Sequence, residues 1–142
     1  MPTKDATKEL AIEWLKRDEG LRLYPYHCTA EKLSIGYGRN LDSMGITESE
    51  AEHLLTNDFQ IARKDARTFI GEEVYEQLTD SQRAVLISMA FNMGLPTLKK
   101  FVKFKAALIN GDIDEAVQQM MASKWQVQVG ARAKRLAEAL RQ

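Results

Sequence analysis

Three side chains early in the chain carry groups that could do chemistry together: Glu19, Cys28 nine residues on, and Ser34 six residues after that. Glu19 follows Asp18 and precedes Gly20, a residue that commonly ends a helix. A carboxylate at that end faces the negative pole of the helix dipole. A carboxyl that holds its proton near neutral pH is what general acid catalysis needs. Position alone leaves Glu19 open between that acid and an ordinary solvated carboxylate. The Cys28 thiol is either a small, partly buried side chain or a reactive group. A cysteine nucleophile would need His27 or His53 as its base. Neighbouring side chains in extended chain point to opposite faces, so His27 suits Cys28 poorly, and no third group to orient the base can be named. One cysteine and two histidines cannot close a zinc site without carboxylates, and no ligand spacing is recognisable, so neither metal nor cofactor is expected. The Ser34 hydroxyl could hold a water. Gly36-Tyr37-Gly38 lacks the further glycine and the Lys-Ser/Thr of a phosphate loop.

Further along, Trp125 could stack on a sugar ring or fill a helical core. Arg132 and Arg135, three apart, can share one helix face as a positive wall or as a solvated surface. Met89, Met93, Met120 and Met121 read as core filling.

The elements that must hold these groups follow from periodicity. Leu10, Ala11, Trp14 and Leu15 recur at helical spacing, which predicts a first helix from about Lys4 to Asp18. Leu21, Leu23, Leu33, Ile35 and Tyr37 alternate, which predicts a short irregular β-hairpin or small sheet over residues 21–40. Pro25 argues against a long central strand, and Gly36 and Gly38 suggest tight backbone packing. Thr47-Glu48-Ser49-Glu50 is a capping box. It opens a helix of about 22 residues that stops at Gly71. A short helix around Val74–Leu78 follows, and Thr79-Asp80-Ser81-Gln82 caps another helix that is apolar nearly all round, which places it inside a core. Further helices fit Leu98–Ile109, Ile113–Ala122 and Ala131–Arg141. The expected class is α+β, mainly α: one domain over residues 1–142, with a small β-containing lobe over about 19–46. A connecting helix over about 47–70 joins it to a helical lobe over about 72–142 that also takes in the N-terminal helix. A cleft between the lobes is the expected ligand site.

Composition sets the boundaries. The chain has 142 residues, 44% hydrophobic and 28% charged, which is enough for a core without disulfides, and its single cysteine allows no internal disulfide. Twenty basic residues cancel twenty acidic ones, so no overall field recruits nucleic acid. Locally, Lys124, Arg132, Lys134, Arg135 and Arg141 face Glu138 alone, a basic stretch that could meet a polyanion. The apolar run at Leu10–Leu15 is broken by Glu13 and flanked by charges, too short and polar for a signal peptide or anchor, so no membrane partner is expected.

Asp18-Glu19-Gly20-Leu21-Arg22-Leu23, then Tyr26, then Ser34-Ile35-Gly36-Tyr37-Gly38, resembles the N-terminal signature of phage-type lysozymes, the endolysins of tailed phages. Met89-Ala90-Phe91-Asn92-Met93-Gly94 resembles the end of that family's central helix, and Ser123-Lys124-Trp125 with Arg132-Ala133-Lys134-Arg135 its C-terminal region. The resemblance implies a two-lobe lysozyme-like fold and a muramidase that cuts the β-1,4 bond between N-acetylmuramic acid and N-acetylglucosamine in peptidoglycan. It casts Glu19 as the general acid, Arg132 as the arginine that pairs with it, and Asn92 as an amide lining the cleft; Trp125 is a further candidate for binding substrate. Ser34 stands where a threonine holds the attacking water, and Cys28 stands where an aspartate is usual, leaving its role open among base, nucleophile and electrostatic partner. Arg39 replaces a histidine that faces an acid on the long helix, and Asp58 holds the matching position, so an Arg39–Asp58 ion pair is expected. A monomer made in the host cytoplasm, reaching the wall through a membrane opened by another protein, fits this reading. The alternatives are a degenerate homologue that grips peptidoglycan without cutting it, and a helical interaction module.

Overall fold

The computed structural model describes residues 4–142. It is α+β and mainly α, as the sequence predicts. The chain divides into two compact units, the first running to Glu52 and the second from His53 to Gln142.

The first unit holds α1 (Ala6–Glu19), a three-stranded antiparallel sheet and α2 (Leu41–Met44). Asp5 caps α1 by accepting from the Lys8 amide at 3.0 Å, and Gly20, at φ 72°, ends it by donating to the Lys16 carbonyl. The sheet runs β1 (Arg22–His27), β2 (Leu33–Gly36), β3 (Arg39–Asn40), in that order. Tyr26 pairs with Ser34, and Ser34 with Asn40. The β1–β2 register slips between Arg22 and Tyr26, across Pro25, which has no amide to give to a ladder. Asn40 ends β3 and caps α2, and Asp42 in α2 accepts the Leu33 amide at 2.7 Å, tying the helix to β2.

The long helix α3 (Glu48–Ile70) carries the chain onward. Its predicted capping box forms: the Thr47 hydroxyl accepts from the Glu50 amide at 3.1 Å, and the Glu50 carboxylate from the Thr47 amide at 2.9 Å. Glu50 also takes the role expected of Asp58. Arg39 reaches Glu50 through both terminal nitrogens at 2.7 Å and donates to the Gly45 carbonyl at 3.0 Å. A planar guanidinium held by the strand meets the first turn of the helix as a two-point fork, so the expected Arg39–Asp58 pair is replaced by Arg39–Glu50.

The second unit is built round one core. From α3 it takes Ala62, Ala66, Phe69 and Ile70. After Gly71 come α4 (Glu72–Gln77) and α5 (Asp80–Met93), the latter opened by the Thr79–Gln82 capping box. Val85, Leu86, Met89 and Ala90 of α5 are buried, while Phe91 stays about half exposed, so this helix is central without being enclosed all round. The remaining helices are α6 (Leu95–Leu98), α7 (Val102–Ile109), α8 (Ile113–Met121), α9 (Lys124–Val129) and α10 (Ala131–Leu140). The predicted helix from Leu98 to Ile109 is interrupted at Lys99–Phe101. There the Lys100 and Phe101 amides close tighter turns onto Thr97 and Leu98, and Phe101 packs edge-on to Phe104 at 6.3 Å. The helix α10 packs on α5, α8 and α9. Ser81 and Gln82, at the start of α5, donate to the last carbonyls of α10, at Ala139 and Leu140.

Candidate functional site

Glu19 is the last residue of α1 and is exposed. Its carboxyl lies over the β2–β3 turn: a Cβ added at Gly38 would stand 2.9 Å from Oε2 and 3.3 Å from the carboxyl carbon. Gly38 also sits at φ 80°, where side chains are disfavoured. The turn can therefore hold the carboxyl against its backbone only because the residue there has no side chain. Tight packing was expected at both Gly36 and Gly38. It occurs at Gly38, whereas nothing lies within 4 Å of a Cβ at Gly36, whose φ of 72° serves the turn alone.

Cys28 and Ser34 come together at the other end of β2. The chain leaves β1 at His27 and turns through Cys28–Lys32, with Cys28 donating its amide to the Lys32 carbonyl at 2.9 Å and Glu31 its amide to the Cys28 carbonyl at 2.8 Å. Glu31 takes a left-handed φ of 58°, uncommon for a residue with a side chain. This turn folds backbone amides round the sulfur. The Lys32 amide, then that of Ala30, pulls the thiol below its ordinary value; partial burial works against them, and the Ser34 hydroxyl and Cys28's own amide add to the lowering. Ser34 is buried and also lies 3.2 Å from the Lys32 carbonyl, to which it can donate. The groups bonding the sulfur are amides and one hydroxyl; no imidazole is among them. The thiol is thus lowered from its ordinary range beside a fixed hydroxyl, without the partner a cysteine–histidine nucleophile would need.

The other candidates lie in the second unit. Trp125 is buried and donates its indole N–H to the Asn92 side-chain oxygen at 2.8 Å. The bond leaves the exposed Asn92 with its amide N–H groups directed elsewhere, and both residues line a pocket of about 850 Å³. Arg132, partly buried on α10, lines a separate pocket of about 480 Å³ with Leu55, Phe59, Ile87 and Phe91. Arg135 is exposed. Sequence reasoning missed the lysines of the larger pocket, Lys100 and Lys103; the cluster of lysines in Lys99–Lys105 was the available signal. It also missed Glu50 as the partner of Arg39.

The phage lysozyme family model matches residues 16–141. The chain is 28% identical over 163 residues to the pre-baseplate central spike protein Gp5 of Enterobacteria phage T4, an alignment that takes in 96% of this chain and 28% of that protein. It is 31% identical over 121 residues to an endolysin of Acyrthosiphon pisum secondary endosymbiont phage 1, over 82% of this chain and 77% of that one. The chain thus spans little more than a quarter of the spike protein and about three quarters of the endolysin. A family match running from the end of α1 to the end of α10, through every candidate side chain described above, places this chain in the phage lysozyme family.

Proposed function

We propose that this chain is a muramidase that hydrolyses the β-1,4 bond between N-acetylmuramic acid and N-acetylglucosamine in bacterial peptidoglycan. The observation that carries the reading is the first unit's own arrangement: a carboxyl seated on the Gly38 turn at one end of β2, and the Ser34 hydroxyl of β2 beside the lowered Cys28 thiol of the β1–β2 turn at the other. Glu19 gives its proton to the glycosidic oxygen as the bond to the anomeric carbon breaks. Water held by Ser34 attacks that carbon, and the Cys28 thiolate takes the water's proton or offsets the positive charge of the oxocarbenium-like transition state. A lowered thiol is what the second role requires of a residue that stands in for a carboxylate, because only the thiolate carries charge. Arg132 and the hydrogen-bonded pair of Asn92 and Trp125 serve substrate binding.

The reading extends to the setting. The glycan strand is the partner, the working form is a monomer, and access to the wall follows membrane opening by another protein. Among the described residues no helix is long and apolar enough to cross a membrane. The endolysin relative favours this lytic role over that of a spike component.

The test is product analysis of digested, purified peptidoglycan. Release of fragments whose new reducing ends are N-acetylmuramic acid is the expected result. Reducing ends on N-acetylglucosamine, or tight binding with no fragments released, would overturn the assignment.

A further inference from the structure

The last turn of α1 carries two basic residues with different partners. Arg17 donates to the Asp18 carboxylate at 2.9 Å. Lys16 forms no ion pair with a described residue, although Glu13 and Glu19 stand three residues to either side of it. Its ammonium lies instead over the ring of Tyr37, 5.6 Å from the centroid, within reach of a cation–π attraction. Tyr37 is the middle residue of the Gly36-Tyr37-Gly38 turn and stays about half exposed, so burial does not fix its ring. On the other side of Gly38, Arg39 is held by the Glu50 carboxylate at 2.7 Å and by the Gly45 carbonyl. Both neighbours of Gly38 are therefore tied down, Arg39 to the first turn of α3 and Tyr37 to the last turn of α1. Lys16 and Glu19 lie one turn apart on α1 and can share a face. The Lys16–Tyr37 contact and the seat of Glu19 on Gly38 thus join the same turn of helix to the same turn of sheet.

We propose that Lys16 and Tyr37 are positioning residues: their contact clamps the β2–β3 turn to the end of α1 and so keeps the Glu19 carboxyl on Gly38. The inference rests on the muramidase reading only for what the seated carboxyl then does. The clamp needs a cation and a ring face and has no use for the phenol hydroxyl. Arginine can therefore replace Lys16, and phenylalanine can replace Tyr37, whereas methionine and leucine supply bulk without the charge or the ring. An exposed contact of this kind shifts the seating equilibrium by roughly two- to fivefold. Glu19 is exposed, so an unclamped carboxyl is free to leave the position that proton transfer needs.

The test uses the full chain and two readouts. The first is an NMR titration of the Gly38 backbone amide, which should show a step as the Glu19 carboxyl gains its proton, identified by its absence from E19Q. The second is the kcat and KM of fragment release from purified peptidoglycan. In K16M and in Y37L the step is expected to shrink by up to about fivefold, and kcat to fall by a similar factor with KM unchanged. The K16M/Y37L double variant should fall no further than either single one, since both break the same contact. K16R and Y37F should restore both readouts, and K8M, which removes a charge two turns earlier on α1, should leave them at the parent's values. An unchanged step in K16M or Y37L, losses that multiply in the double variant, or a failure of K16R or Y37F to restore the step would overturn the proposal. A clamp-dependent step in a parent that releases no fragments would support the clamp and defeat the hydrolase reading instead. Because Lys8, Lys16 and Tyr37 are all exposed, the variants are expected to keep the parent's circular dichroism.

Discussion

At the scale of single residues, the site depends on what two positions lack. Gly38 lacks a side chain, so the Glu19 carboxyl can lie on the turn; Cys28 lacks a permanent charge, so its surroundings must supply one. In Gly38→Ala the new methyl would meet Oε2 at 2.9 Å. The carboxyl is the end of a flexible side chain and can swing away, so stability should fall by only about 1 kcal/mol, from the strained φ. Hydrolysis should fall by roughly 10- to 100-fold, because the acid is no longer where the bond needs it. Denaturation and rate measurements on the same preparation check this, and a loss of stability with unchanged rate would contradict it. For Cys28, the lowering by the Lys32 and Ala30 amides places the thiolate's onset below that of an ordinary thiol. The acid limb of the pH–rate profile should therefore begin below the ordinary thiol range, thiol-blocking reagents should inhibit, and Cys28→Asp should remain active with that limb moved down towards the carboxylate range. Full activity after confirmed thiol modification would remove Cys28 from the chemistry. Glu19, Cys28 and Ser34 were legible in the sequence through their spacing within the signature, and Gly38 through its place in Gly-Tyr-Gly. The amides that activate the thiol were not, because they come from backbone folded by the Glu31 turn, and no residue type announces them.

At the scale of elements, punctuation that satisfies its own hydrogen bonds could be read directly. Both capping boxes formed where Thr47–Glu50 and Thr79–Gln82 predict them, since donor and acceptor lie within one helical turn. Ser123 caps α9 in the same way, accepting from the Gln126 amide at 3.3 Å, but a six-residue helix gives too short a period to stand out. The break before α7 had no such mark, for Lys99–Phe101 holds neither glycine nor proline, and tertiary packing of Leu98 and Phe104 decides it. The partner of Arg39 illustrates the same limit. Glu50 and Asp58 both lie on α3, eight residues apart, and only the position of β3 selects the nearer. That choice gives a pH test. The Arg39 guanidinium, then the Thr47 amide, holds the Glu50 carboxyl down from 4.5 to about 2. A depressed carboxylate contributes stability that is complete above about 4.5 and is lost as pH falls through about 2. In urea denaturation the parent should exceed Glu50→Gln most at neutral pH, with the gap closing between pH 4.5 and 2. A gap that does not change with pH would contradict the pairing.

At the scale of the whole molecule, the two units are unequally supplied with core. Every buried apolar side chain among the described residues lies between Ala62 and Leu140, in the second unit; in the first, Ser34 is the one buried side chain, and α1 has none. Units with few buried apolar contacts open at lower free energy. Amides of β1 and β2 should therefore exchange hydrogen faster than those of α5, by at least about tenfold at neutral pH. Mass spectrometry of peptides over residues 22–36 and 80–93 checks this, and equal protection would contradict it. The class, α+β with a small sheet ahead of a helical mass, was readable because periodicity changes once, near Gly20, and changes back near Thr47. The central claim is that Glu19 supplies the proton. The direct measurement is the rate of fragment release from purified peptidoglycan by Glu19→Gln, in a preparation whose circular dichroism and unfolding midpoint match the parent. The account predicts a fall of at least about a thousandfold, the upper reach of a lost general acid; a folded variant that cuts within a few-fold of the parent rate would contradict it.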